Sequence, residues 1–433
     1  MTVKGARASH PLREAPFARL WVSGLLTEIG KWVLQLALPL YVLALTHSPL
    51  VTSVVAMLGL LPSFVVAPLA GTLVDRFEQR RFLVAVGMGQ AAMLTPLLWV
   101  RDAGDLWMIY LVAGSEAILT VAFESVKNVA LSTFVDPEQL VGANAAISLN
   151  ASLGRLVGSP LGGLLLSWAG LHTVLAFAAA SFLIASALAW TIPRRATARP
   201  TAAENTGFWA GLGETLRTIR YVPTLRGTFI CVALLSVAQG MFVVLFLLFV
   251  TDLLGGGDAQ AGLLRGVQAV GGFLGTVTVG LLTRKLAAPR LLTVGVLTFA
   301  AVSAVTWNLS LTSLGFAVYA VLFAAAGVPA VWLAAAWLSL VQQSSPLPLR
   351  GRVMACVLGL SDGLQALGML AAGLLTGVMG TLSALNVQAA LLLAAGLLTF
   401  RTLPRRLAPA KAPEPASASI GVPGIGPAGR QAS

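Results

Sequence analysis

Gly71-Thr72-Leu73-Val74-Asp75-Arg76-Phe77-Glu78-Gln79-Arg80-Arg81 sets two acidic and three basic residues into eleven positions between two long apolar runs. A tight turn between antiparallel helices needs a residue that permits close approach, and Gly71 supplies it at the end of its run. Asp75 and the arginines cannot enter hydrocarbon, so they must bond each other or the ends of nearby helices. The stretch reads as a turn at a membrane surface, provided that the runs on either side of it are spans.

Composition says that they are. Of 433 residues, 57% are hydrophobic and only 10% charged, with mean hydropathy +0.87. A water-soluble fold could not hide that much apolar surface. Apolar runs of about 20 residues recur from end to end, each long enough to cross the hydrocarbon core as a helix. The alternation of apolar and polar residues that marks spanning β-strands is absent. A net charge of +12 raises nucleic acid as a partner, but the basic residues sit in short loops rather than in an aromatic-interleaved patch, which excludes it. Cys231 and Cys356 fall inside runs and form no CxxC pair, so neither a disulfide nor a metal site is expected. The basic N-terminus leads into a span without a small-residue cleavage site, so no removable signal peptide is read.

The expected fold is all-α and integral to the membrane, with spans over 18–44, 50–70, 82–100, 106–126, 145–167 and 172–192, then 227–250, 260–283, 290–307, 312–340, 353–377 and 382–401. That divides the chain into a cytoplasmic N-terminal segment (1–17), a six-helix bundle (18–192), a polar cytoplasmic linker (193–226), a second six-helix bundle (227–403) and a disordered cytoplasmic tail rich in Pro, Ala and Gly (404–433). Phe208 to Tyr221 in the linker suits a short amphipathic surface helix. With the N-terminus placed in the cytoplasm, 24 of the 28 Lys and Arg residues fall in cytoplasmic segments and only Arg101 in an outer connection. That asymmetry places both termini inside.

The two halves repeat. Gly71-Thr72-Leu73-Val74-Asp75-Arg76 answers to Gly280-Leu281-Leu282-Thr283-Arg284-Lys285, and Gly158-Ser159-Pro160-Leu161-Gly162-Gly163 to Gly368-Met369-Leu370-Ala371-Ala372-Gly373, at nearly equal offsets. An even number of spans per half keeps the copies in the same orientation, facing each other across an axis along the membrane normal.

Six plus six spans, a basic central loop and the Gly71–Arg81 turn together resemble the major facilitator superfamily, over about residues 15 to 405. Phe17-Ala18-Arg19-Leu20-Trp21, Pro137-Glu138-Gln139-Leu140 with Ala143-Asn144-Ala145, and Gly154-Arg155 with Gly158-Ser159-Pro160-Leu161-Gly162-Gly163 are similar to the pattern of its bacterial drug and siderophore efflux group. The resemblance implies that Asp75 caps the start of span eleven near Val353, beside Arg352, and that Arg76 pairs with Glu124, closing the cytoplasmic side when the cavity opens outward. Glu78 stands where the family has Gly, and Gln79 precedes Arg80-Arg81. Arg76, Arg80 and Arg81 also have a plainer role as topology signals. The glycines of span five, Gly154, Gly158, Gly162 and Gly163 with Pro160, resemble the antiporter motif of exporters, whose small-residue face packs between the halves. Small residues four apart serve ordinary helix packing as well.

Five charges have no topological reason to be where they are. Glu28 and Lys31 share one face of span one and can pair structurally. Glu116 in span four, Arg155 in span five and Asp362 in span eleven stand at depths where ionisable groups usually face a water-filled cavity. Glu116 and Asp362 lack a basic neighbour in sequence, which suits them to carry protons, Glu28 being a third candidate; the alternative is a static bridge from either to Arg155. Arg155 in turn serves an anionic group of a substrate or that bridge. Lys31 follows Gly30 where efflux members often carry an acid. Gln35, Gln239, Gln268, Asn150, Gln365, Trp32, Phe242, Phe246, Trp332 and Trp337 divide between cavity, core and lipid in a way the sequence leaves open.

The reading that results is a secondary exporter of amphipathic or apolar small molecules in the inner membrane of a bacterium, acting as a monomer by alternating access, with proton antiport implied by the resemblance. An uptake carrier on the same fold is the alternative. His10, His47 and His172 lie outside the span interiors, and neither HExxH nor GxxxxGK[ST] occurs, so no enzyme, ATP-driven pump or cofactor is expected.

Overall fold

The computed structural model describes residues 14–62, 66, 78–135, 139–193, 213, 217, 219–312 and 314–403. Gly71, Asp75 and Arg76, most of the linker, and the tail from 404 onward lie outside the described residues. Of the surface helix expected over 208–221, residues 213, 217 and 219–221 are helical.

Among the described residues eleven α-helices follow in order: α1 Ala15–Thr46, α2 Pro49–Leu58, α3 Gln79–Met93, α4 Leu106–Phe134, α5 Leu140–Trp190, α6 Pro223–Leu248, α7 Asp258–Leu282, α8 Ala288–Asn308, α9 Phe316–Ser344, α10 Arg350–Met379 and α11 Thr381–Thr402. Among the described residues, nine helical stretches are long and apolar enough to cross a membrane. The one within α5 is two crossings joined at Gly170, whose φ of 73° and ψ of −173° interrupt the helix. With α2 and α7 the chain is a twelve-helix membrane protein, two bundles of six.

Local chemistry explains the joints. Residue His47 at φ 50° ends α1 by donating its N–H to the Leu43 carbonyl at 2.8 Å, and the Ser48 side chain then accepts from the Val51 N–H as Pro49 opens α2. That combination of left-handed cap, N-cap serine and proline in the first turn turns the chain within two residues. The span expected over 82–100 is α-helix only to Met93; Thr95–Trp99 continues as a 3-10 helix, because Pro96 brings no amide hydrogen to the α-helical ladder. At the far end of α6 the chain passes into a π-helical turn, Phe249–Leu253.

The repeat seen in the sequence is a repeat in packing. On α5, a Cβ built at Gly158 would lie 2.7 Å from the Ile29 carbonyl oxygen of α1, in the same half, while one at Gly163 would run into Asp258 and Gly262 of α7, in the other half. On α10, Gly368 backs onto Val237 of α6, in the same half, while Gly373 backs onto Leu50 and Ser53 of α2, in the other. Each copy thus uses its first glycine to hold its own bundle and its second to meet the opposite one. A third landmark has the same offset: Gly380, at φ 81° and ψ 165°, joins α10 to α11, and stands 210 residues after Gly170. That backbone region is open essentially to glycine alone. The halves therefore meet along two seams, α5 with α7 and α2 with α10, both near the end of the molecule remote from the termini.

One expectation needs correcting. Span four does not stop at 126 with Lys127 in a loop; α4 runs on to Phe134, and Lys127 is only 2% exposed. It leaves the count of loop charges and joins the buried ones.

Candidate functional site

Span five supplies the frame. Gly154, Gly158 and Gly162 turn one face of α5 to α1, where Cβ atoms would lie 2.6 Å from the Glu28 Cβ, 2.7 Å from the Ile29 carbonyl oxygen and 2.7 Å from the Val33 carbonyl oxygen. Only hydrogen fits at these positions. Pro160 on another face of the same helix meets Gly262 and Gly266 of α7. Of the residues expected to form the antiporter motif, Pro160 and Gly163 meet the other half, while Gly154, Gly158 and Gly162 pack within their own.

Beside this frame a cavity of about 280 Å³ runs between the halves. Lys31, Trp32, Gln35, Glu116 and Thr120 line it from the N-terminal half, Val243 and Met369 from the C-terminal half. A larger hollow of about 580 Å³ lies by the α7–α8 turn among Arg284, Lys285 and Arg290, and the described residues that line it all belong to the C-terminal half. For a substrate that must be handed between halves, the smaller cavity is the relevant one.

The deep charges separate into three kinds. Lys31 Nζ is 2.6 Å from Glu28 Oε2, so the pair anticipated from their spacing forms, and Glu28 is 4% exposed. Glu124 also has its partner, in Lys127 at 2.5 Å; of these four charges Glu28 and Lys127 are buried, Lys31 and Glu124 half-buried. Glu116 is different: it accepts a hydrogen bond from Gln90 Nε2 at 2.7 Å, and among the described residues no cation bridges it. A neutral donor steadies a carboxyl group without fixing its charge. Asp362 makes no ion pair among the described residues either, and is half-buried in α10. Arg155 bridges neither acid. Its guanidinium stands 5.6 Å from the centre of the Trp32 ring, and Arg265 of α7 stands 4.7 Å and 4.8 Å from the centres of Phe242 and Phe246.

Of the surface turn, the described part begins at Glu78, which pairs with Arg81 at 3.0 Å at the start of α3, while Arg80 packs over the Trp190 ring at 4.4 Å. Glu78, foreign to the family's pattern, thus finds its counter-charge one turn on. Arg352 is exposed in the first turn of α10. Asp75 and Arg76, expected to meet Arg352 and Glu124, lie outside the described residues. Among the neutral candidates, Trp32 and Gln35 line the cavity, Asn150 is buried and donates to the Trp21 carbonyl at 2.9 Å, Trp332 donates to Thr278 at 2.9 Å, and Gln239 is exposed. Both cysteines are buried and unpaired.

Sequence reasoning passed over Lys127, Gln90 and Arg265 as site residues. Lys127 had a signal, its position three after Glu124. Gln90 had none beyond being polar in an apolar run, since its partner is 26 residues away.

A family model described as transmembrane secretion effector matches residues 6–419. Among curated relatives, an uncharacterised MFS-type transporter of Bacillus subtilis, YfiS, is 24% identical over 403 residues, 88% of this chain and 91% of its own length. The multidrug efflux pump Tap of Mycolicibacterium fortuitum is 27% identical over 386 residues, 85% of this chain and 91% of its own. The crystal structure of a point mutant of the nucleoside transporter NupG superposes with a TM-score of 0.75 over 90% of this chain and 100% of that one, at 13% identity.

Proposed function

This chain belongs to the transmembrane secretion effector family of major facilitator transporters, and we propose that it is a secondary exporter which carries amphipathic or apolar small molecules out of the cell in exchange for protons. It is a multi-pass membrane protein acting on small molecules; direction, coupling and substrate class are the proposal. What carries it is the placement of the α5 glycines and Pro160, which make one helix the contact of α1 in its own half and of α7 in the other. A helix so placed is the pivot on which two bundles can rock about a central site. A multidrug efflux pump among the relatives supports export over uptake.

In this scheme Glu116 is the proton carrier. It lines the cavity, and its tie to Gln90 survives protonation, because the second carboxyl oxygen, buried and without a partner, can take the hydrogen. Glu28 is held by Lys31 and serves structure. Asp362 is the second candidate, on the opposite half. In this reading the protein works as a monomer in the inner membrane of a bacterium, the distribution of its loop charges supports both termini in the cytoplasm, and Asp75 and Arg76 latch the cytoplasmic side. Reconstitution in vesicles under pH gradients of either sign tests the whole: drug accumulation should reverse with the gradient, and facilitated flux indifferent to it would rule out antiport.

A further inference from the structure

Antiparallel contacts between α5 and α7 form a ladder: Gly163 against Asp258 and Gly262, Ser159 and Pro160 against Gly262, then Pro160 and Leu156 against Gly266. Positions 155, 159 and 163 share one face of α5, and 258, 262 and 265 share one face of α7. Arg155 of one half and Arg265 of the other each lie one residue from the Leu156–Gly266 contact, which brings the two level on facing helices. Arg155 is exposed and Arg265 half-buried between the halves, and like charges placed within spans call for a counter-charge. Among the described residues none is there: no carboxylate oxygen lies within 4.0 Å of either guanidinium. Each rests instead on aromatic faces, which attract a cation without neutralising it. Arg265 has Gln268 Oε1 as an acceptor, at 3.3 Å. Trp32 Nε1, on the ring that carries Arg155, is buried with no acceptor at all, a rare condition for a buried donor. The neighbouring acids are engaged, Glu28 with Lys31 and Glu116 with Gln90.

We propose that Arg155, Arg265 and Trp32 Nε1 form an anion site between the two halves, which takes the carboxylate, sulfonate or phosphate group of an amphipathic substrate whose apolar body lies in the adjoining cavity. The proposal deepens the exporter reading and rests on it for the direction of transport only. Guanidinium groups from two sides suit one oxyanion, since each offers paired N–H donors in a planar fork. An anion held by both also removes the repulsion between them, so that loading the site favours the approach of α5 and α7 on the side of the termini. Substrate would thus bias the same seam on which the halves rock.

The test uses two probes with one ring system: anionic anilinonaphthalene sulfonate and its neutral parent phenylnaphthylamine, titrated by fluorescence into proteoliposomes of the full chain without any gradient, against protein-free vesicles. Wild type should bind the sulfonate with about tenfold preference, as a charge-assisted hydrogen bond implies. Arg155→Gln and Arg265→Gln should each abolish the preference while phenylnaphthylamine binding holds, and Arg155→Lys or Arg265→Lys should restore part of it. Equal weakening of both probes, or no change in either, overturns the site. Should the Gln variants fail to insert, a wild type without preference for the sulfonate overturns it equally. A wild type that binds the sulfonate but does not export it leaves the site standing and sinks the exporter reading.

Discussion

Glu116 and Lys127 are both buried charges in α4, and their surroundings assign them opposite work. Glu116 has a neutral partner, so Glu116→Gln keeps an acceptor for Gln90 at nearly the same place and removes only the proton. Gradient-driven transport in vesicles should fall by an order of magnitude or more, the usual weight of a positioned acid or base, while downhill flux of the same drug persists. Wild-type coupling in this variant would pass the role to Asp362, where Asp362→Asn repeats the test. Lys127 has a charged partner, and Lys127→Met strands Glu124, while Glu28 keeps Lys31. The cost should be about 3 kcal/mol, the low end for a broken buried pair because Glu124 is a third exposed. A lower thermal midpoint in detergent would register it, and adding Glu124→Gln should recover part of the loss; no recovery would show that the two do not interact. At this scale the sequence was readable only where partners are neighbours on one helix. Glu28–Lys31 could be written down from spacing, but Glu116–Gln90 spans two helices, and Arg155–Arg265 spans both halves.

Helices and their joints follow more directly from the chain. Runs of about 20 apolar residues are set by bilayer thickness, so most of the described helices lie close to the expected spans, α4 running past its expected end to Phe134 and the later part of span two lying mostly outside the described residues, and the gap foreseen between 167 and 172 holds Gly170. What the pattern did not announce were the local departures: the 3-10 helix after Pro96, the π-helical turn after α6, and the extra turns of α4 that bury Lys127. Gly170 and Gly380 have nothing within 4 Å of a built Cβ, so Gly170→Ala and Gly380→Ala isolate backbone strain from packing. Each should destabilise by about 1–3 kcal/mol, seen as a lower midpoint in detergent with substrate binding retained. At the glycine seams the outcome depends on which bundle is touched. Gly158→Ala presses on α1 within one half and should lower yield and stability. Gly266→Ala presses on Pro160 across the halves, 2.5 Å from its Cγ, and should instead shift the balance of conformers toward separation of α5 from α7. Distance measurements between spin labels on these two helices would show the shift; an unchanged distribution with reduced stability would make Gly266 a packing residue and nothing more.

For the molecule as a whole, the internal repeat carries the mechanical consequence. Because Gly163 and Gly373 occupy equivalent places and each meets the other half, α5–α7 and α2–α10 must open and close together if the bundles move as rigid bodies. One covalent tie should then stop the entire cycle. Ser53 and Gly373 provide the position: a Cβ on Gly373 would stand 2.8 Å from the Ser53 Cβ, closer than the ~3.8 Å of a disulfide, so the helices need part by only about an ångström to accept one. In a Ser53→Cys, Gly373→Cys protein in which Cys231 and Cys356 are first replaced by Ala, oxidation should halt transport in both directions and reduction should restore it. Because the bond lies on α2 and α10, while the proposed pivot lies on α5 and α7, arrest by a tie at one seam would mean that the other cannot work alone. Transport at an undiminished rate in the oxidised, cross-linked protein would mean that the far end of this seam never opens, and that the halves do not rock.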